Sequence, residues 1–180
     1  MIAYIVTEDT FDEKLLKRLL PGDLLRDIFI VAAGGLSDGI SMARSLAVRR
    51  QVPLLLVFDS DSVDAGLIEQ RRSEIEYIVA GVSIRPIKVV MAVPQLEGVL
   101  FSDRELVRRW FGDRLTQEDL IRAEYQPRLV LERLVAGSGL SMEGLVEGLS
   151  DREAERLRSA VVIQEAMVFL GQVQAVVEAA

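Results

Sequence analysis

The chain opens on an uninterrupted apolar run, Ile2 to Val6, of strand length and without the polar alternation of a half-exposed strand. An amphipathic stretch follows from about Thr10 to Leu20. Leu15, Leu16, Leu19 and Leu20 recur there at helical spacing, and Pro21-Gly22 supplies the stop. The alternation then repeats. Ile28 to Ala33 is apolar, Gly34-Gly35 turns the chain, and Ile40 to Arg50 reads as a helix carrying Ile40, Ala43, Leu46 and Ala47 inward. Pro53 to Phe58 is the most hydrophobic segment and stops abruptly at Asp59. Asp64 to about Ile78 predicts a third helix, and Ile84 to Val93 a fourth strand whose Pro86 suits an edge or a strand start. The order βαβαβαβ, with continuous apolar strands, predicts an α/β fold: a four-stranded, mostly parallel sheet flanked by helices. Ligands of such sheets bind beyond the carboxyl ends of the strands.

From Pro94 onward strand signals fade. Helices are expected at about Glu97 to Phe101, Arg104 to Phe111, Gln117 to Ala123, Arg128 to Val135, Met142 to Glu147, and in one long run from Asp151 to near the end. Gly137-Ser138-Gly139 is the clearest hinge, and Ser150 with Glu153 forms a capping box. This divides the chain into an α/β domain over residues 1–112 and an all-helical extension over residues 113–180. The last helix carries Leu157, Val161, Met167, Val168, Leu170, Val173 and Val177 around more than one stripe. That pattern predicts burial against several neighbours or a homodimer contact. Gln164, Glu165, Gln172, Gln174 and Glu178 interrupt the apolar run short of the ~20 residues that span a bilayer, so a packing helix and no membrane partner are expected. No secretory signal pattern precedes the first strand, and a cytoplasmic location is expected.

Composition narrows the chemistry. The 180 residues include neither cysteine nor histidine, which excludes disulfides, thiolate nucleophiles and the usual imidazole base or ligand. Catalysis would have to run on carboxylates, hydroxyls, Lys or Arg. A bound metal would be hard, Mg²⁺ or Mn²⁺, and zinc is disfavoured. The net charge of −7 argues against coating nucleic acid non-specifically, although local arginines still contact phosphates. Arg49-Arg50, Arg71-Arg72 and Arg108-Arg109 are such pairs, each more simply read as solvated surface.

The acidic residues fall where the ligands of a parallel sheet would. The first strand delivers Glu8, Asp9 and Asp12, and the third Asp59, Asp61 and Asp64. Two such clusters at one edge repel unless something positive stands between them, and a divalent cation is the simplest candidate. In extended chain Asp59 and Asp61 point the same way, roughly 6 to 7 Å apart at the backbone. Asp12 and Asp64 stand where helices begin and read equally well as N-caps or helix-dipole partners, and Asp9 as a solvated loop residue.

The run IVTEDTFD resembles the first motif of TOPRIM domains, VAAGGLSDG resembles the glycine turn after their second strand, and VFDSDSVD their Asp-x-Asp motif. The resemblance covers about residues 2 to 100. It implies that Asp59 and Asp61 bind Mg²⁺, and that Glu8 is a general acid or base or a further ligand, with Asp12 and Asp64 as additional candidates. VPQLEGVL resembles the Pro-x-x-Glu stretch of nuclease-like members of the overcoming-lysogenization-defect type, which would set Glu97 near a second metal. Asp9 and Asp64 depart from the glycines many members carry. The implied activity is a Mg²⁺-dependent nuclease or phosphodiester transfer on nucleic acid, DNA ahead of RNA, in a defence or repair assembly with a separate partner chain. A non-catalytic module of the same fold is the alternative. A receiver-like phosphoacceptor ranks last, because Lys88 lies inside a strand run.

Overall fold

The computed structural model of the protein describes residues 2–179. Strands β1 (Ala3–Thr7), β2 (Ile28–Ala32), β3 (Leu54–Asp59) and β4 (Ile87–Ala92) form one sheet in the order β2-β1-β3-β4, parallel throughout. Helices α1 (Thr10–Leu19), α2 (Leu36–Arg50) and α3 (Ala65–Ala80) connect them. The α/β architecture expected from the apolar runs is therefore present, with a sheet that is wholly rather than mostly parallel. β4 starts three residues later than its apolar run, just beyond Pro86, which has no N–H to donate.

Beyond the sheet follow α4 (Gly98–Phe101), α5 (Arg104–Phe111), a 3₁₀ turn (Gly112–Arg114), α6 (Gln117–Ala123), α7 (Pro127–Val135), α8 (Met142–Glu147), α9 (Asp151–Leu157) and α10 (Val161–Glu178). The long helix expected from Asp151 is thus two. Ala160 is extended (φ −61°, ψ 136°), and the break is held by Arg158 Nε donating to the Leu19 carbonyl at 2.6 Å and by Gln164 Nε2 donating to the Arg158 carbonyl at 2.6 Å. Apolar periodicity runs straight through this turn because Leu157 and Ile163 on either side are both buried. The Ser150–Glu153 capping box forms as expected, and a second one at Thr116–Asp119 opens α6.

The topology explains where the late helices go. Right-handed crossovers in the order 2-1-3-4 put α1 on one face of the sheet and both α2 and α3 on the other. α1 covers only the β1–β2 half of its face, leaving β3 and β4 bare there. α10 fills that half. Val162, Ile163, Ala166, Phe169, Leu170 and Val173 join Ala3, Ile5, Leu55, Val57 and Val90 in one core, together with Leu131, Leu134 and Leu145 of α7 and α8. The opposite face packs Tyr4, Val6, Leu56 and Phe58 against Ala43, Ala47, Ile75 and Val79. α10 is long and apolar enough to cross a membrane by length and composition, yet its buried side belongs to this core, while Val161, Val168, Val176 and Val177 remain exposed.

α2 begins at Leu36, directly after the Gly-Gly turn and four residues ahead of the expected start. It sits close on β3 because Gly39 lacks a side chain: a Cβ there would fall 2.7 Å from the Phe58 ring. Phe58 is itself fully buried, so relief requires moving the helix or the ring. Gly39→Ala is expected to lower stability by about 1–3 kcal/mol. An unchanged denaturation midpoint in urea would contradict this tight approach.

Candidate functional site

β1 and β3 lie side by side at the centre of the sheet, and the chain leaves them in opposite lateral directions, to β2 and to β4. Between such strands the following loops part and open a crevice. Glu8 and Asp59 flank it. The Glu8 carbonyl accepts from Gly34 N (2.7 Å) and Gly35 N (2.9 Å), which reach it because both glycines take positive φ, 96° and 126°. Those amides brace Glu8 and are not presented to a ligand. The Glu8 carboxylate crosses to β3, where Oε1 accepts from Asp59 N at 2.9 Å. Asp59, buried at the tip of β3, accepts from Leu96 N at 2.9 Å and so ties the loop after β4 to the same crevice.

Asp61 behaves differently from the extended-chain expectation. Strand pairing persists through Ser60 N to Ala92 O and Asp61 N to Pro94 O, both 2.9 Å, but Asp61 takes φ 49° and the chain turns left-handed. Its exposed carboxylate meets Gln95 Nε2 at 3.2 Å rather than standing parallel to Asp59. Asp64 caps α3, its carboxylate accepting from Leu67 N at 2.9 Å. Of Asp9 and Asp12, the first takes the cap, and the second stands in the first turn of α1 as a helix-dipole partner. Asp9 is the N-cap of α1, accepting from Phe11 N (2.9 Å) and Asp12 N (3.0 Å), not a solvated loop residue. Asp12 is thereby free of capping duty and is buried, 2% exposed.

Glu97, wholly buried, precedes α4 and reaches the same region. Sequence reasoning missed the residue that joins these acids, Arg128, in the first turn of α7. Its Nε donates to Glu97 Oε1 at 2.5 Å, and its Nη2 donates to Asp9 Oδ2 at 2.6 Å and lies 3.9 Å from Asp12 Oδ1. The Arg128 backbone N–H meets Gln95 Oε1 at 3.4 Å. One signal was available. A cation in the first helical turn opposes the helix dipole, so an Arg immediately after Pro127 calls for a specific anionic partner. Three arginines of the pairs noticed instead are engaged elsewhere: Arg71 donates to the Ser60 carbonyl at 2.7 Å, Arg72 pairs with Glu69, and Arg109 pairs with Glu153 at 2.6 Å.

One guanidinium does not neutralise the cluster. Burial, then the charge of Asp59, pushes the Asp12 carboxyl up to about 8. Burial, then the charge of Glu97, pushes Asp59 up to about 7, against the hydrogen bond from Leu96. Glu8 and Glu97 are also raised, chiefly by burial, with Asp59 N–H opposing for Glu8 and Arg128 opposing for Glu97. Asp12 Oδ1 and Glu97 Oε2 are buried without a hydrogen-bond partner. The donor set suits a hard dication in kind: all oxygen, net negative, with two oxygens unpartnered. Among the described residues, however, no three acidic side chains stand together as a ready metal cage. Glu8, Asp59 and Asp61 are the acids that Arg128 does not pair. An open cavity of about 410 Å³ lies alongside, bounded by Asp61, Gln95, Arg128 and the exposed Tyr125 and Leu129.

Comparison of the chain with protein-family models, with curated proteins and with solved structures returns no match.

The raised carboxyls set the sign of the pH dependence. A folded-state pKa above the ordinary 3.8 favours the folded state while the group is protonated. That advantage is complete below about 4 and is lost as pH rises through about 7 for Asp59 and 8 for Asp12. In chelator, the thermal midpoint is expected to fall between pH 5 and pH 8.5. Asp12→Asn is expected to flatten the fall and raise the midpoint at pH 8.5 by roughly 2–8 °C. A parent midpoint independent of pH, or an Asn variant less stable at pH 8.5, would contradict the reading of Asp12.

Proposed function

We propose that the chain is a TOPRIM-like, Mg²⁺-dependent nuclease or phosphodiester-transfer protein acting on nucleic acid, DNA ahead of RNA. The observation that carries this reading is the meeting of Glu8 and Asp59 at the central crevice of a parallel sheet, in an acidic cluster that one arginine leaves under-compensated. Glu8, Asp59 and Asp61 would hold the cation. Bound there, Mg²⁺ would supply charge neutralisation at a phosphodiester and polarisation of an attacking water or hydroxyl.

The chain's own residues supply the remainder. Glu8, its carboxyl raised above the ordinary range by burial and held in place by Asp59 N–H, is placed to accept or return a proton. Asp59 is oriented by Leu96 N–H. The neighbouring cavity offers an exposed aromatic, Tyr125, on which a base can stack. A second reading, a binding or assembly module without chemistry, draws support from Arg128, which already occupies part of the cluster.

Labelled single- and double-stranded DNA and RNA, incubated with Mg²⁺, Mn²⁺ or chelator, separate the two readings. Cation-dependent cleavage is expected, reduced about 100-fold or more in Asp59→Asn and Glu8→Gln. Each variant keeps an oxygen for the backbone amide it accepts from, so circular dichroism should be unchanged. Absence of cleavage on every substrate, with binding retained, would favour the non-catalytic module.

A further inference from the structure

The acidic crevice occupies the carboxyl edge of the sheet, and α10 runs from that edge to the opposite one. Val161 and Val162 at its start stand beside Met91 and Ala92 at the end of β4. Further along, Phe169, Val173 and Val177 stand beside Ile2, Pro53 and Pro86, the residues that precede β1, β3 and β4. An open cavity of about 480 Å³ lies at this amino edge, between the last turns of α10 and the segments leading into the strands. Its size is within the range of about 300–1,000 Å³ that takes small-molecule ligands.

The walls are apolar, and at the two prolines they present no free backbone polar group. Neither proline has an N–H, and their carbonyls are already engaged, Pro53 O by Tyr4 N and Pro86 O by Leu54 N, both at 3.1 Å. The polar side chains of the lining are Gln51, Gln172 and Arg85, and among the described residues Arg85 is its one charge. That arginine is held in place. Ser83 Oγ accepts from Arg85 N at 3.2 Å and donates to Arg85 O at 2.8 Å. Arg85 Nε donates at 3.1 Å to the carbonyl of Gln51, which ends α2 in the left-handed region (φ 52°). Its two Nη nitrogens donate to no described group, and no described acid pairs with the guanidinium. A fixed guanidinium with free nitrogens beside an apolar cavity complements a carboxylate carried on an apolar body.

We propose that this cavity binds an amphiphilic monocarboxylate of the fatty-acid class. The alkyl chain lies between the end of α10 and the two prolines, and the carboxylate meets the Arg85 Nη groups. The site is at the other end of the sheet from Glu8 and Asp59, so it stands or falls independently of the nuclease reading.

Titration calorimetry with decanoate, kept below its micelle-forming concentration, tests the assignment. One decanoate per chain is expected, with octanoate weaker by about 10-fold for the two methylenes it lacks. Arg85→Gln should weaken decanoate by about 10- to 100-fold. Decanol, which has no charge to pair, should bind the parent and Arg85→Gln alike, and this equality also shows that the variant keeps its cavity. Val176→Trp/Val177→Trp changes two exposed residues at the mouth and should abolish binding of both compounds. No decanoate binding to the parent, or binding indifferent to both Arg85→Gln and the double variant, overturns the proposal. Two other occupants are read from the same proteins. A parent that sediments as a dimer and becomes monomeric in the double variant gives the face to a second copy. Flotation with vesicles of phosphatidylcholine and phosphatidylglycerol, lost in the double variant, gives it to a membrane surface. Either result overturns the proposal; a monomer that stays off the vesicles and binds decanoate supports it.

Discussion

Everything at the functional edge of this molecule follows from mutual repulsion among carboxylates that the fold brings together. A parallel sheet sends its strand ends to one side, and β1 and β3 each end in acid. Proteins hold like charges at such distances by protonating some, by hydrogen-bonding others to backbone amides, or by inserting a cation. All three devices appear here. Asp12 and Asp59 are pushed toward the protonated form, Glu8 and Asp59 accept amides from the neighbouring segment, and Arg128 enters from α7.

The division of labour between these devices shapes the chemistry open to the crevice. Backbone amides orient an acid without neutralising it, so Glu8 and Asp59 remain positioned and proton-hungry. An arginine brings charge and fixed geometry together, and Arg128 holds Asp9 and Glu97 in this way. Asp61 also lines a cavity that carries Arg128 and the exposed Tyr125.

Much of the architecture could be read from the chain because β1 and β3 are buried on both faces and therefore spell continuous apolar runs. Ile2 to Val6 and Pro53 to Phe58 announced two of the strands, and the acids that follow them announced the edge. What stayed hidden depends on three-dimensional partners. The sequence leaves open which aspartate caps α1: Asp9 does, and Asp12 falls in the first turn and is buried, because either residue can cap and only packing decides which one does. The left-handed turn at Asp61 requires the β4 loop, whose Pro94 carbonyl accepts the Asp61 amide. Arg128 lies 119 residues from Asp9, and nothing local reveals that separation closing. The turn at Ala160 is masked by apolar residues on both sides, because the chain changes direction without leaving the core.

The half-covered face of the sheet has a consequence for how the molecule comes into being. With only α1 on that side, a nascent chain that has completed β4 exposes the flank of β3 and β4 to solvent until α10 is made, the last helix of the described chain. The arginine that tempers the acidic edge arrives in the same late stretch. Synthesis from the amino terminus thus yields first an intermediate with an uncovered apolar flank and an acidic edge that lacks Arg128, and only afterward the helices that supply both, α7 and α10. A truncation upstream of α7 would leave the flank of β3 and β4 without its cover and Glu97 without its guanidinium.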